Sequence, residues 1–450
     1  MELSRALRVQ SKEIVAFVGG GGKTSALFCL ADELTALGKR VVTTATTTKL
    51  GAAQVARGAG ATLPLRYVAS RDFRLRVQDT LAQKSRVLII GEDVEGDKVA
   101  GVPPVFIDEL AARVDVDAVI YEADGARGFA FKAPTAHEPV LAASTTLLVP
   151  VMGVTALGAP LDDAHVHRAE IVARLAGAHI GDTVTPRIAA HVLAHNEGGL
   201  KNKPRAARII ALVNQIENDA QLDAARALAR LLLDHAVIEA VAIGAVGHAQ
   251  NPVRETHRRV AAIVLAAGAG MRMNGRIKQL LPWRGKTLIE NAIALAMRSH
   301  AYETVVVLGA HADAIQSVVE KTGARIVVNP QWEDGHSTSI RAGLNALAPE
   351  IAAAIFVNMD QPFLTREVVD AIIQRYRETD APIVASIFAG QRSSPVLFHR
   401  AHFPELENLQ GEQGGRELLA KYPVARIEFD DAWLGIDVDT WDEYAKVIRE

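Results

Sequence analysis

The stretch FVGGGGKTSALFCLADEL, residues 17 to 34, places four glycines, a lysine and a threonine between a short apolar run and a segment of helical character. Glycines directly after a strand let backbone N–H groups close around phosphate oxygens, and a helix that starts there points its positive end at them. Lys23 would then contact the outer phosphates and Thr24 a magnesium ion. The stretch predicts a phosphate-binding loop that opens an α/β domain.

The spacing of this loop departs from the common pattern G-x-x-x-x-G-K-[ST]. Phe17 stands where the first glycine is expected, which leaves the shortened form Gly19-x-x-Gly22-Lys23-Thr24. That form resembles the loop of the Mur-ligase type of ATPase. The alternative is a glycine turn with an exposed lysine, but a GKT sequence between an apolar strand and a helix favours binding of ATP or GTP.

An acidic strand end supports the same interpretation. DAVIYEADGA (117–126) places Glu122 and Asp124 where a doubly wound sheet exposes its ligand crevice, with Asp124 as the expected magnesium ligand and Glu122 behind it. An Asp-Gly turn without a ligand is the alternative. The hydroxyl-rich TTATTTK (43–49) could line the same crevice through its threonines and Lys49, although Thr is also an ordinary strand residue.

A cluster of basic and imidazole side chains follows. FKAPTAHEPV (131–140) and LGAPLDDAHVHRAE (157–170) gather Lys132, His137, Glu138, His165, His167 and Arg168. The two histidines at 165 and 167 share a face on a strand but not on a helix. Metal ligation is one interpretation, and a structural or anion-binding role is the more common one for single histidines.

A second glycine-rich strand end, IVLAAGAGMRM (263–273), differs from a dinucleotide fingerprint because only Gly268-x-Gly270 survives. These glycines let backbone amides approach phosphates, and Arg272 and Lys278 supply positive charge for a triphosphate. The residues expected to border the base are Leu265, Ala266 and Ala267. The pattern predicts a nucleoside triphosphate site.

Carboxylates at two later positions fit a magnesium ion in this second site. AAIFVNMDQPFL ends its apolar run in Asp360, followed by Pro362, which cannot continue a sheet ladder. Asp437 and Asp439 alternate with apolar residues, so they point the same way on an extended segment. We expect Asp360 and Asp437 to bind the metal. Acidic turns are common, and the later pair could instead cap the last helix.

Length and composition bound the architecture. A chain of 450 residues with 49% hydrophobic and 22% charged residues and a mean hydropathy of +0.12 is expected to form two globular domains. Short buried-type strands alternate with helical patterns in both halves, which predicts mostly parallel sheets. We place the domains at residues 1–250 and 258–450, with AIGAVGHAQNPVRETHRRV (242–260) at the boundary. The fold class is α/β, a P-loop-like parallel-sheet domain followed by a Rossmann-like domain.

Charge and cysteine content exclude several functions. A net charge of −3 gives no support for nucleic-acid binding, which needs a basic surface. The single cysteine excludes an internal disulfide framework and a cysteine-based zinc site. The sequence offers no signal peptide and no apolar stretch near the roughly 20 residues of a membrane span. We expect a cytoplasmic protein that binds neither nucleic acid nor membrane.

The motifs of the first half resemble a family of accessory proteins found with selenium-dependent molybdenum hydroxylases, the YqeC-like proteins. The matching stretches are FVGGGGKT, TTATTTK, EADGARGFAFKAPTAHEP and LGAPLDDAHVHRAE, within about residues 10–245. The resemblance implies nucleotide-dependent assistance to a molybdenum enzyme, with a hydroxylase apoenzyme as the expected partner. It does not define a reaction.

The second half closely resembles the nucleotidyltransferases of molybdenum-cofactor maturation, MobA-like domains and above all the MocA-like cytidylyltransferases. The matching stretches are LAAGAGMRM with KQLLP (278–282), GHSTSIRAG (335–343), VNMDQPFLT (357–365) and DVDTWDEY (437–444). The resemblance adds Ser337 to the nucleotide-binding residues. Departures from the family pattern are Ala269, Asn274, Glu412, Trp441 and the pair Ser393-Ser394, which stands where acceptor contacts are expected.

The reaction that this resemblance implies is attack by the terminal phosphate of a molybdopterin-type cofactor on the α-phosphorus of CTP, with release of pyrophosphate. A phosphate monoester has a second pKa near ~6, so it is already an anionic nucleophile at neutral pH and needs no general base. Catalysis then rests on alignment and charge neutralisation by Arg272, Lys278, Asp360 and magnesium. The alternatives are transfer of GMP or AMP, a sugar-phosphate acceptor, or a non-catalytic cofactor carrier for a hydroxylase.

Overall fold

The computed structural model of the chain describes residues 1–46, 50–51, 64–94, 98–248 and 250–449. It divides into two compact units, Met1–His257 and Arg258–Glu450. Each unit has its own mixed α/β architecture around a mainly parallel sheet, so the predicted fold class is confirmed. Lys49 and the two threonines before it lie outside the described residues. No helix in the described ranges is both long and apolar enough to cross a membrane.

The first unit is built on a nine-stranded sheet, and three further short strands form a small antiparallel sheet. Its strands are β1 (Glu13–Gly19), β2 (Val41–Ala45), β3 (Leu50–Gly51), β4 (Leu65–Arg66), β5 (Arg86–Ile90), β6 (Asp93–Val94), β7 (Lys98–Val99), β8 (Ala118–Glu122), β9 (Leu147–Gly153), β10 (Arg208–Asn214), β11 (Ala240–Gly244) and β12 (Val253–His257). Its helices are α1 (Leu3–Ala6), α2 (Lys23–Ala36), α3 (Arg71–Lys84), α4 (Pro104–Ala111), α5 (Ala169–Ala176), α6 (Pro186–Leu193) and α7 (Asp219–Leu233).

The strand order of the large sheet is β12-β11-β10-β9-β1-β8-β2-β5-β4, and only β12 runs antiparallel to its neighbour. Central strands of such a sheet are covered on both faces, which explains their continuous apolar sequences. In β1, Ile14 and Val18 pack into one core, and Val15 and Phe17 pack into the core on the opposite face. Apolar side chains therefore fill both faces of β1 between Glu13 at its start, which pairs with Arg208 at 2.8 Å, and the glycine loop at its carboxyl end.

The second unit is built on a seven-stranded sheet with two short accessory strands. Its strands are β13 (Val260–Ala266), β14 (Pro282–Trp283), β15 (Lys286–Thr287), β16 (Glu303–Leu308), β17 (Arg325–Val328), β18 (Ala353–Asn358), β19 (Ile383–Phe388), β20 (Gln391–His399) and β21 (Val424–Phe429). Its helices are α8 (Leu288–Arg298), α9 (Ala312–Glu320), α10 (His336–Asn345), α11 (Arg366–Thr379), α12 (Phe403–Glu407), α13 (Arg416–Lys421) and α14 (Trp441–Val447).

The order of this sheet is β17-β16-β13-β18-β20-β19-β21, in which β20 alone runs antiparallel to its neighbours. The sequence patterns indicated β13, β16, β17, β18 and β19 but not β20 or β21. Polar residues open β20 at Gln391–Ser394, and half-buried and exposed positions alternate along β21, so neither has the apolar run of a central strand. Helix α8 begins with a capping box formed by Thr287 and Glu290.

The loop after β1 fits against the end of β9 only because its residues lack side chains. Gly21 has φ +73°, in the left-handed region, and a Cβ atom there would lie 1.9 Å from the backbone nitrogen of Gly153. Gly38 has nearly the same φ, +75°, but nothing lies within 4 Å of its Cβ position. The two glycines therefore share the backbone constraint and differ in the space around them.

We expect Gly21→Ala to lower the free energy of unfolding of the first unit by about 2–4 kcal/mol and Gly38→Ala by about 1 kcal/mol, because only the first substitution adds a backbone clash to left-handed strain. Hydrogen exchange of peptides from β1 and β9 at increasing urea concentration measures this difference. All four tryptophans, Trp283, Trp332, Trp433 and Trp441, lie in the second unit, so their fluorescence should not change. Equal destabilisation by the two substitutions would contradict the packing described here.

Candidate functional site

The carboxyl ends of the parallel strands in the second unit bring the predicted site residues to one edge. The glycine loop follows β13, and Asp360 follows β18, which pairs directly with β13. In sheets of this kind the ligand crevice lies outside these strand ends. Leu265 of β13 pairs with Asn358 of β18, so the loop after β13 and Asp360 after β18 lie beside each other.

Lys278 is the centre of an ion cluster at this edge. Its Nζ donates to Asp360 Oδ2 at 2.7 Å and to Asp439 Oδ1 at 3.0 Å. Arg272 contacts the other oxygen of Asp439 at 3.1 Å. The structure thus brings Arg272, Lys278 and Asp360 together, as expected from the sequence. Lys278 itself is buried, whereas the Arg272 side chain is 67% exposed and free to reach outward.

The pKa values of two carboxylates in the cluster are shifted in opposite directions. Burial in the cleft and the negative charges of Asp360 and Asp439 raise the pKa of Asp437 to about 7. The side chain of Asp437 keeps contact with solvent, so we assign the shift mainly to the like charges. Burial would also raise the pKa of Asp439, but the hydrogen bond from Lys278 and the charge of Arg272 outweigh it and lower that pKa.

Several buried polar atoms of this site have no hydrogen-bond partner among the described residues. Within the described residues, Asp360 Oδ1, Ser337 Oγ and Gln279 Oε1 are buried and form no hydrogen bond. The amide nitrogen of Gln279 donates to the carbonyls of Ala266 and Gly268, at 3.0 and 2.8 Å, and so fixes the glycine loop from behind. An unpaired buried polar atom costs free energy, and a polar ligand would remove that cost.

The remaining loop residues lie around this point. Gly270 has φ +61°, and a Cβ atom there would come within 3.0 Å of the Lys278 side chain. Leu265 lines the cleft beside the loop, whereas the methyl groups of Ala266 and Ala267 are buried in the two cores of the unit. The structure therefore exposes Leu265 to the cleft and buries the two alanines, and contact of these residues with a base stays a prediction.

A cleft with a volume of 720 Å³ adjoins the ion cluster at Asp437. Its floor is apolar and includes the edge-to-face pair Phe356 and Phe398, whose ring centroids are 6.0 Å apart. Arg392 and Arg416 lie on its wall. His336, at the start of α10, also lines it, and burial lowers its pKa although Glu412 and Asp360 oppose that effect.

The serine pair that departs from the family pattern also belongs to this cleft. Gln361 donates through its amide nitrogen to Ser393 Oγ at 3.0 Å and to the carbonyl of Ser394 at 3.1 Å. Ser393 in turn contacts the Gly435 carbonyl at 3.3 Å. The pair therefore joins the strand end that carries Asp360 to the segment that carries Asp437.

In the first unit, Lys23 lies buried between two carboxylates. Its Nζ is 3.4 Å from both Glu122 and Asp124, and it donates to the carbonyl of Gly19 at 2.5 Å. Burial alone would lower the pKa of Lys23, but the two carboxylates outweigh it and raise that pKa. The Thr24 hydroxyl donates to Glu122 at 2.8 Å. The loop lysine is thus fixed between two carboxylates and the Gly19 carbonyl, and phosphate binding by it stays a prediction.

Asp124 has a different set of partners. It accepts the backbone N–H of Gly19 at 3.0 Å and pairs with Lys132 at 2.9 Å. Lys132 also pairs with Glu138, and Arg168 is 2.6 Å from Glu138. Glu122, not Asp124, is therefore the carboxylate beside the Thr24 hydroxyl. Metal binding by Asp124 stays a prediction.

The other candidates from the sequence have structural partners. The hydroxyls of Thr44 and Thr46 donate to backbone carbonyls of Ile89 and Val140. His165 pairs with Asp162 at 2.7 Å, and His167 stacks on Phe129 with 5.6 Å between ring centroids. Within the described ranges, no group of three or more His, Cys, Asp or Glu side chains is arranged to hold a metal ion.

Sequence reasoning missed several residues that organise the two sites. Asn214 has no motif of its own, and His336, Gln279 and Gln361 lie within the family motifs without an assigned role. Asn214 ends an apolar strand beside the glycine loop, so its position after RIIALV was the available signal. The others act through contacts between distant parts of the chain, which spacing does not reveal.

Comparison with known proteins assigns each unit separately. The family described as YqeC protein matches residues 15–170, and the MobA-like NTP transferase domain matches residues 262–427. An uncharacterized YqeC protein of Escherichia coli is 31% identical over 51% of this chain and 86% of its own length. Nicotine blue oxidoreductase of Paenarthrobacter nicotinovorans is 31% identical over 42% of this chain and 96% of its own length.

Solved structures align with a similar share of the chain. Rv0371c from Mycobacterium tuberculosis is 27% identical and covers 43% of this chain and 99% of its own, with a TM-score of 0.39. The expected combination of an accessory domain and a nucleotidyltransferase domain is confirmed at the level of the two matched families. The chain belongs to both: it joins a YqeC protein to a MobA-like NTP transferase domain.

Proposed function

We propose that the second unit transfers CMP from CTP to the terminal phosphate of a molybdopterin-type cofactor and releases pyrophosphate. The first unit binds a purine nucleoside triphosphate and assists maturation of a molybdenum hydroxylase in the cytoplasm. The observation that carries the transferase proposal is the buried Lys278 held between Asp360 and Asp439 at the glycine loop, next to a cleft large enough for an acceptor.

The chain's own cations neutralise the charge that develops on the triphosphate. Lys278 is fixed by two carboxylates and needs little rearrangement to meet a phosphate oxygen, so its charge is preorganised. Arg272 has an exposed side chain that can fold over the outer phosphates. The glycine loop leaves room for the phosphates to approach the backbone between these two side chains.

A magnesium ion fits the carboxylates of this site. Asp360 has a buried oxygen without a partner, and Asp437 faces two like charges, so a divalent cation would satisfy the first and relieve the second. Asp360 and Asp437 would hold the ion, which when bound supplies charge neutralisation at the phosphates. One or two carboxylates plus substrate oxygens are the usual magnesium ligands beside a nucleotide.

The cleft next to Asp437 suits an acceptor with a flat ring and an anionic end. Phe356 and Phe398 offer an apolar aromatic floor, and Arg392 and Arg416 offer positive charge on the wall. The acceptor phosphate is itself the nucleophile and has a second pKa of about 6, so it is already anionic at neutral pH. The proposed reaction therefore needs no general base. The protein's task is to align the two substrates.

For the first unit, the proposal depends on Lys23 and Thr24 at the start of α2. The N–H groups of Gly20 and Gly21 already donate to Val151 and Phe129, at 2.9 and 3.0 Å. Phosphates would therefore bind to the first turn of α2, where the helix N-terminus and the Lys23 ammonium act together.

The test is to incubate the full-length protein with a molybdopterin-type cofactor, magnesium and each nucleoside triphosphate in turn. We expect CTP alone to yield pyrophosphate and a cytosine dinucleotide identified by mass spectrometry. Product from GTP or ATP, or transfer to a sugar phosphate instead, would replace the proposed base or acceptor. No pyrophosphate with any nucleotide, despite tight cofactor binding, would favour a carrier.

Asp360→Asn should lower kcat by about a hundredfold or more, because it removes a charged ligand that acts on the transition state, worth about 3 kcal/mol. The fold should survive because Lys278 keeps its contact with Asp439. Pyrophosphate release measures the effect, and tryptophan fluorescence in urea checks stability. Asp442→Asn, an exposed carboxylate on α14, is the matched control and should keep full activity. A folded Asp360→Asn variant with wild-type turnover would reject the assignment.

Asp437→Asn should stabilise the metal-free second unit in a pH-dependent way. The pKa of Asp437 rises from 3.8 to about 7 on folding, so its charge destabilises the fold increasingly from about pH 4 to 7 and fully above pH 7. The variant should match wild type in acid and exceed it above pH 7, as measured by tryptophan fluorescence in urea. Magnesium should stabilise wild type above pH 7 but not the variant. A pH-independent difference would contradict the proposed clustering of carboxylates.

A further inference from the structure

The surroundings of the phosphate loop in the first unit decide where a bound base can lie. Over the ends of β8 and β9 the space is filled, because the buried Lys132 pairs with Asp124 and the carbonyls of Phe129 and Ala130 accept the N–H groups of Gly21 and Gly153. Beyond β9, β10 and β11 run in the same direction as β1 and end at the same edge of the sheet. A base attached to phosphates at α2 therefore lies over the ends of β10 and β11.

Asn214 joins three loops at this place. Its side chain is 3% exposed, its Nδ2 donates to the Gly21 carbonyl at 2.7 Å, and its Oδ1 accepts the N–H of Val246 at 3.0 Å. The phosphate loop and the loops after β10 and β11 are thereby held in one arrangement. An amide nitrogen has two N–H donors, and among the described residues only one of them is used. The second can donate to a ring nitrogen of a purine.

The next residues direct one carboxylate outward from the same loop. Ile216 is fully buried, and its N–H donates to the Gly244 carbonyl at 3.1 Å. The backbone N–H of Glu217 donates to Gln221 at 2.7 Å. The Glu217 side chain is exposed, and within the described ranges it makes no ion pair or hydrogen bond. The loop thus presents an unpaired carboxylate on a fixed backbone next to the base position.

Gln215 completes the floor of this position. It has φ +69°, and its side-chain oxygen lies 1.9 Å from where a Cβ atom of Gly153 would be. The Thr155 hydroxyl contacts the same oxygen at 3.3 Å. Its side-chain amide therefore covers the end of β9.

The donor and acceptor pattern of these groups matches one base. Guanine carries acceptors at N7 and O6 on one edge, and its N1–H and N2–H groups on the other edge are donors that a carboxylate can accept together. Adenine has an unprotonated N1, which a carboxylate repels. We infer that the segment 214–217 reads guanine, with Asn214 at N7 and Glu217 at the N1 and N2 edge, so the first unit is a GTP site. This inference rests on the proposed phosphate site and names its base.

Glu217→Gln is the test because the amide offers a hydrogen-bond donor where the carboxylate offers only acceptors. We expect full-length wild type to bind the fluorescent N-methylanthraniloyl derivative of GTP at least about tenfold more tightly than that of ATP, with excess CTP present to fill the second unit. The variant should bind the GTP derivative at least about tenfold more weakly and gain affinity for the XTP derivative, because xanthine has an acceptor in place of the 2-amino group. Asp219→Asn, an exposed carboxylate two residues away, is the control and should change neither affinity.

The outcomes separate this inference from the proposal on which it depends. Lys23-dependent binding with equal affinities for GTP and ATP, or a Glu217→Gln variant that gains nothing for XTP, overturns the guanine assignment and leaves the phosphate site standing. If the protein binds no purine nucleotide, or if Lys23→Ala leaves the binding unchanged, the phosphate site itself is overturned. Circular dichroism of the Glu217→Gln variant checks its fold, which an exposed side chain should not alter.

Discussion

Both units depend on the same constraint: a strand that is buried on both faces accommodates charged groups at its ends. β1 is apolar from Ile14 onward and β13 along its length, and each leads directly into a glycine loop. Parallel neighbours end at the same edge, so carboxylates that follow β8 and β18 meet the loops there. Two unrelated sequences therefore arrive at similar sites because the sheet leaves few other places for charge.

Each site also holds its lysine before any phosphate is present. Lys23 lies between Glu122 and Asp124, and Lys278 lies between Asp360 and Asp439. A buried ammonium without a partner would be costly, so the carboxylates stabilise each lysine in place. Under the proposed function, a phosphate would exchange one anionic partner of the lysine for another, with little reorganisation of charge.

Much of this could be predicted from the sequence, and the failures have physical causes. The glycine loop at 268–270 predicted Arg272 and Lys278, and the end of the apolar run before Pro362 predicted Asp360, because backbone geometry and charge chemistry are local properties. β20 and β21 lack continuous apolar runs, so only the structure shows these strands and their pairing partners. Asn214 acts by joining Gly21 to Val246, and no local spacing could show that contact. The pairing of Thr24 with Glu122 likewise depends on strand register.

The carboxyl group of Asp437 has a further consequence for thermodynamic measurements. Because its pKa is raised to about 7, part of the population carries a proton in neutral solution. Under the proposed function, a divalent cation that binds beside it would displace that proton, which the buffer would take up. The heat of such a titration would then include the ionisation enthalpy of whichever buffer is chosen, and binding of the cation would acidify an unbuffered solution.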